Sequence, residues 1–198
     1  MPIGTPKIPY TPHDKTVFLT LQEKFYDGRI LFLCKNMEFS LVNNIIALLL
    51  FLSGQDDTDI HLFINSHGGE ALSAISLYDT IEFLYCDVST VALGLVASTA
   101  SLILVGGTRT KRIAFPHARI MIHQPSTDYF CGNPREIQVE AEEMFELRNT
   151  IAEIYAQKTG QPINVIQNDL ERDTFMSATE AQDYGIIDHI VTNRYHVD

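Results

Sequence analysis

Positive charge is scarce in this chain: 14 Lys and Arg stand against 25 Asp and Glu, a formal net charge of −11 over 198 residues. Nucleic-acid binding needs a basic face, so this balance argues against that class of function. The one compact basic cluster, Arg109-Thr110-Lys111-Arg112, reads as a solvated turn. Cysteine is also sparse. Cys34, Cys86 and Cys131 are odd in number and form no C-x-x-C pair, which fits a reducing compartment and not a disulfide framework. The N-terminus, Met1-Pro2-Ile3-Gly4-Thr5-Pro6-Lys7-Ile8-Pro9, lacks the apolar core of a signal peptide and the Arg/Ser-rich pattern of a transit peptide. Its prolines predict an extended arm. No low-complexity segment or linker divides the chain.

Against these absences, 45% hydrophobic and 20% charged residues are ordinary globular composition, enough for one domain with a sizeable core. One apolar run tests the soluble reading, because no charge falls between Asp87 and Arg109. That length could cross a bilayer, but Gly94, Ser98, Ser101, Gly106 and Gly107 interrupt it. It divides naturally into a strand and a helix, so no membrane span is expected.

The periodicities predict an α/β domain. Thr16 to Leu21 and Arg29 to Leu33 read as short strands, and Leu41 to Leu52 as a helix apolar on most faces, which must be buried or sit in a subunit interface. Ile60 to Asn65 alternates as a strand, Gly68-Gly69 turns, Glu70 to Leu84 has helical spacing, and Val88 to Val96 is rich in β-branched residues. This is a βαβ unit. A helix from Ala100 to Val105 and a strand from Arg119 to His123 repeat it. Asn133-Pro134-Arg135-Glu136 combines an N-cap, a first-turn proline and a reciprocal glutamate, opening a helix that runs to Lys158 and stops at Gly160. A second helix begins at Pro162, a third is capped by Ser177 with Glu180, and Ile186 to Val191 closes the chain as a strand.

Chemistry concentrates at three strand ends. Ser98 lies among small residues at a strand-to-helix turn, where a nucleophile can be held exposed with helix N–H groups beside it. Asn65-Ser66-His67-Gly68-Gly69 follows a strand and opens a helix, and Met121-Ile122-His123-Gln124-Pro125 ends a strand on a histidine. Serine, histidine and a glycine turn offering backbone donors are the parts of acyl transfer. Spacing alone does not select the acid, since Asp128, Asp169, Asp173 and Asp188 all remain open. Ser101, three positions beyond Ser98, is expected to face the helix interior and to contribute little to activity.

Several ordered stretches resemble the proteolytic subunit of the Clp protease, the ClpP family. They are Phe63-Ile64-Asn65-Ser66-x-Gly68-Gly69, Leu77-Tyr78-Asp79-Thr80, Val96-Ala97-Ser98, Met121-Ile122-His123-Gln124-Pro125 and Glu171-Arg172-Asp173-x-Phe175-Met176-Ser177-Ala178. The opening Met1-Pro2-Ile3-Gly4-x-Pro6-Lys7 is similar to plastid-encoded and cyanobacterial members. The resemblance implies a crotonase-like, ClpP-type spiral of repeated βαβ units, with an N-terminal axial arm over residues 1–15 and a protruding strand-helix handle over about 125–158. The strand part of that handle would pair with substrate backbone.

By the same motifs Ser98 matches the nucleophile, His123 the general base and Asp173 the orienting acid, while the backbone N–H groups of Gly69 and Thr99 match the oxyanion hole. Phe63 and Phe83 match chaperone-docking positions. The family assembles two stacked seven-membered rings, homomeric or mixed, that receive unfolded protein from an ATP-driven Clp chaperone. The chain has no G-x-x-x-x-G-K-[ST], so ATP is used by the partner, and the resemblance implies no cofactor and no metal. The compartment implied is the plastid stroma, with the bacterial cytoplasm as the alternative.

Departures from the family pattern cluster at the site: His67 in the Gly-Gly turn, Thr99 and Ala100 after the nucleophile, Ser126-Thr127-Asp128 after His-Gln-Pro, and His61 at the docking pocket. The intact Ser98, His123 and Asp173 point to an active serine peptidase subunit. The diverged flanks count for a competing reading, a ring-forming but catalytically weak subunit. The Gly-Gly turn leaves a third, an acyl-CoA hydratase or isomerase on the same fold. That third reading wants carboxylates near the glycine loops, where Glu70 stands alone.

Overall fold

The computed structural model describes residues 7–10, 17–126, 131–193 and 196–197. In chain order the elements are β1 (Lys7–Tyr10), β2 (Val17–Thr20), α1 (Leu21–Asp27), β3 (Ile30–Leu33), α2 (Phe39–Ser53), β4 (Ile60–Ser66), α3 (Ala71–Phe83), β5 (Val88–Ala97), α4 (Thr99–Gly106), β6 (Arg112–Ala114), β7 (Arg119–Ile122), α5 (Pro134–Thr159), α6 (Ile163–Leu170), β8 (Thr174–Ser177), α7 (Ala178–Tyr184), β9 (His189–Asn193) and β10 (His196–Val197). β1 and β2 form an antiparallel ribbon, and the main sheet runs β10-β9-β6-β5-β4-β3. Its strands β3, β4, β5, β6 and β9 are mutually parallel, as helical crossovers require.

β5 organises the site because its outer edge is shared. β4 lies along one edge, whereas on the other β6 pairs with Thr90–Ala92 and β7 with Leu95–Ala97. The sheet forks at Gly94, whose φ of +56° suits a residue without Cβ. The Leu95 N–H beside it donates to the Asn65 side chain at 3.2 Å. Past the fork, β8 runs antiparallel to β7.

The charge-free run resolves into β5 and α4, and every residue of α4 is buried. Among the described residues no helix is long and apolar enough to cross a membrane. The core gathers the inward faces of α2, α3, α4, the second half of α5, and the sheet, from Leu31 and Leu33 through Val42, Leu49, Leu62, Leu77, Ile103 and Tyr155 to Ile187.

Several boundaries differ from the sequence reading. Leu21 begins a helix and does not end a strand: Thr20 caps α1 in a reciprocal box with Glu23, a T-x-x-E signal visible in the sequence. β6 and β8 are too short and polar to stand out by alternation. The basic cluster is a solvated turn only in its first half, where Arg109 and Thr110 are exposed; its second half is tied into the fold. Arg112 is only 4% exposed and bonds Asp188 through Nη2 at 2.6 Å and Nε at 2.9 Å, while Lys111 bridges Asp59 and Asp87 at 2.6 and 2.7 Å. The handle strand expected after Pro125 falls partly on residues 127–130, outside the described residues, as does Asp128. Most of the expected arm also lies outside them.

Candidate active site

Two registers bring the chemistry together. Ala97 pairs with Met121 across β5 and β7, so Ser98 leaves the sheet alongside Ile122, the last residue of β7. Ile122 pairs with Thr174 across β7 and β8, so His123 and Asp173 emerge opposite one another. The result is a continuous chain of polar contacts: Ser98 Oγ lies 2.8 Å from His123 Nε2, and His123 Nδ1 lies 3.2 Å from Asp173 Oδ1. A carboxylate only accepts, so the neutral ring consistent with both contacts carries its proton on Nδ1 and leaves Nε2 free to accept from the serine hydroxyl.

The turn that presents Ser98 is strained, with φ +58° and ψ −130°, a conformation that L-residues with a Cβ rarely occupy. The Ser98 N–H donates to Met121 O at 2.9 Å. Ser101 Oγ is wholly buried and lies 2.6 Å from Ser98 O, 3.0 Å from Met121 O and 2.7 Å from Tyr155 Oη. Burial raises the Tyr155 phenol well above its ordinary value, against the weaker opposing effect of the Ser101 bond, so it stays neutral as a hydrogen-bonding post. Ser101 does face the interior, as expected from its spacing, but it is wired to the backbone of the Ser98 turn.

The acid is the open end of the chain. Asp173's side chain is 63% exposed, against 26% for His123. Of the other carboxylates left open by spacing, Asp169 accepts from Tyr184 Oη at 2.8 Å and Asp188 belongs to Arg112, so neither faces His123.

The glycine turn is held from below by residues that sequence reasoning missed. Met37 N–H donates to Gly68 O at 2.9 Å, and Glu70 N–H donates to Met37 O at 3.0 Å. Ser66 Oγ accepts from Gly68 N–H at 3.1 Å and donates to Lys35 O at 2.6 Å. The Ser66-x-Gly68 spacing carried this signal as a serine turn, but nothing in the sequence marked Met37. A Cβ at Gly69 would meet Met37 O at 2.5 Å, which explains the second glycine. Gly69 and Thr99 do come together, though in an unexpected way: the Gly69 N–H donates to the Thr99 side-chain hydroxyl at 2.8 Å. The Thr99 backbone N–H opens α4, where first-turn donors have no intrahelical acceptor.

A cleft of about 410 Å³ runs past Ser98 and Thr99 between Leu72, Glu140, Met144 and Leu147. The arrangement is chemically able to perform acyl transfer: a hydroxyl with a base, an orienter for the base, and backbone donors beside it. Among the described residues no group of three or more His, Cys, Asp or Glu could hold a metal ion. The remaining predicted positions are remote from this chemistry. Phe63 stacks on Phe32 with ring centroids 5.5 Å apart, and Phe83 stands 71% exposed at the end of α3.

Comparison with known proteins agrees with this frame. Residues 13–194 match the Clp protease family. The chain is 49% identical over 191 residues to the chloroplastic ATP-dependent Clp protease proteolytic subunit 1 of Arabidopsis thaliana, covering 95% of this chain and 97% of that one. It is 47% identical over 193 residues to an ATP-dependent Clp protease proteolytic subunit of Anthoceros angustus, covering 96% and 95%. A Staurastrum punctulatum subunit of the same name is 44% identical over 196 residues, 98% of each chain. The chain therefore belongs to the Clp protease family, and its α/β architecture is of the ClpP type.

Proposed function

We propose that this chain is the serine endopeptidase subunit of an ATP-dependent, self-compartmentalised protease of the plastid. Ser98 Oγ attacks the scissile carbonyl carbon as His123 Nε2 takes its proton. Asp173 holds the imidazole in the required tautomer and favours the imidazolium that forms. The carbonyl oxygen, now carrying negative charge, is received by the N–H groups of Gly69 and Thr99. Collapse expels the amine, which leaves with the proton from His123, and water then repeats the sequence to release the acyl group from Ser98. No metal or cofactor enters these steps.

The observation that carries this reading is the 2.8 Å contact from Ser98 Oγ to His123 Nε2 at a residue held in a strained, half-buried turn. The relatives' names supply the wider setting: ATP-dependent Clp protease subunits, one of them chloroplastic. On that basis the chain works in stacked rings of ClpP-type subunits, and an ATP-driven Clp chaperone docks where Phe63 and Phe83 lie and feeds in unfolded protein. Residues 1–15 form the axial arm, about 125–158 the handle, and the whole of 1–198 one peptidase domain.

A fluorophosphonate probe tests the core of the proposal. The expected result is covalent labelling at Ser98, lost in Ser98→Ala together with cleavage of short peptides, while particle mass is unchanged. Unlabelled wild-type particles that still cleave peptides would assign the chemistry elsewhere.

A further inference from the structure

The Gly69 N–H is already occupied. Its acceptor, Thr99 Oγ1, stands 2.8 Å from the nitrogen. An oxyanion must sit about 2.7–3.1 Å from each of its donors, so the threonine hydroxyl fills the place from which the substrate oxygen would receive this hydrogen bond. The hydroxyl's own proton has two acceptors within reach, Gly69 O at 3.4 Å and Met37 Sδ at 3.6 Å. Thr99 is thus held on both sides. The glycine turn cannot easily move aside instead, because Met37 bonds both Gly68 O and Glu70 N–H and lies against the Cα of Gly69. The movable part is the Thr99 side chain, since threonine in a helix divides between two χ1 wells.

We propose that the Thr99 hydroxyl is a built-in competitor for the Gly69 oxyanion donor, which the carbonyl oxygen of the substrate displaces by turning Thr99 about χ1. The inference rests on the reading of Ser98 as nucleophile and adds a restraint that acts on it. At rest the donor is satisfied, the Gly69 turn is held in its donating orientation, and acylation is slowed by the exchange of one hydrogen bond for another. The restraint weighs most on the tetrahedral species, whose oxygen carries the charge, and therefore on kcat more than on KM. A neutral hydrogen bond of ordinary net strength sets its size at about 2- to 12-fold.

The test compares wild type, Thr99→Ala and Thr99→Ser as full-length chains in the particles they form, with equal particle mass as the control for folding. Three quantities are read: kcat and KM on a short fluorogenic peptide, and the rate of Ser98 labelling by a fluorophosphonate. In labelling, Ser98 Oγ bonds to phosphorus, fluoride leaves, the serine proton passes to His123 and the phosphoryl oxygen takes the oxyanion position. Thr99→Ala, which clears the position, is expected to raise kcat and the labelling rate by about 2- to 12-fold with KM little changed. Thr99→Ser, which keeps the hydroxyl, is expected to stay near wild type. A role in packing alone would lower stability in Thr99→Ala without raising kcat, and that result overturns the proposal. So does a fall in kcat in Thr99→Ala with Thr99→Ser at wild-type level, which would make the hydroxyl a donor to the oxyanion. Absence of Ser98 labelling in all three chains would instead overturn the serine-peptidase reading, and this inference with it.

Discussion

At the scale of single residues, the site depends on groups that never touch a substrate. Ser98 can hold a strained backbone only because its surroundings fix it on both sides: its N–H is bonded to Met121 O and its carbonyl to Ser101 Oγ. Ser101 is in turn held by Tyr155, and all of this lies in a part of the core where an orphaned polar group is costly. Replacing Ser101 by Ala strands the buried Tyr155 hydroxyl, while Ser98 O and Met121 O keep only their backbone donors, Ser101 N–H and Ser98 N–H, and this costs about 1–3 kcal/mol of stability. The same substitution loosens the turn, so kcat falls with KM little changed. Chemical denaturation and peptide kinetics on Ser101→Ala check both effects, and unchanged stability with unchanged kcat would remove Ser101 from the support of the site. The sequence reading expected little from this residue. Its inward direction was legible from helical spacing, but its partner, Tyr155, is 54 positions away and no local pattern links the two.

At the scale of elements, the far end of the sheet is closed by one buried ion pair. Arg112 on β6 reaches Asp188 just before β9, and its Nη1 also donates to Lys158 O near the end of α5 and Gly185 O after α7. Four elements thus share one guanidinium. Burial pushes the Asp188 carboxyl up, but the side-chain and backbone hydrogen bonds from Arg112 outweigh it and hold the group below its ordinary value of 3.8. A carboxyl whose folded value is depressed stabilises the fold above its unfolded value, near pH 4, and loses that contribution as pH falls through the lower folded value. Asp188→Asn leaves Arg112 buried and uncompensated, and about 3–5 kcal/mol of stability is expected to go. Urea midpoints at pH 7 and at pH 3 test this: the variant should lie well below wild type at pH 7, and the gap should narrow at pH 3. Equal midpoints at pH 7 would show that the pair contributes nothing. Element order was largely readable, because caps such as Asn133 with Glu136 and Ser177 with Glu180 are local signals. Short strands such as β6 were not, because what makes Arg112 an interior residue is a carboxylate 76 positions away.

At the scale of the whole molecule, α5 does not fit a monomer. It has 26 residues, a length of about 39 Å at the usual helical rise, yet its buried residues are Ile151, Ala152 and Tyr155, all in its C-terminal half. The N-terminal half projects from the core, and Ile137, Ala141, Met144 and Phe145 line an apolar depression of about 380 Å³ with Pro125. The spacing of 137, 141 and 145 puts these residues on one helical face. Ile137 is 48% and Phe145 63% exposed. Scattered apolar residues on a surface need no explanation, but an aligned row on a projecting helix needs a covering partner. In the proposed assembly that partner is another subunit, reached through the handle. Because Phe145 lies away from the buried half of α5, Phe145→Glu should spare the fold of one subunit and place a charge in the contact between subunits. Sedimentation is expected to show wild type as a particle many times the 22.3 kDa of one chain and the variant as smaller species. Peptidase activity should fall with the fraction of intact particle, since Pro125 and Met144 border the Ser98 cleft as well as this contact. A Phe145→Glu chain that still forms full-sized particles would mean that the projecting half of α5 does not hold the assembly together.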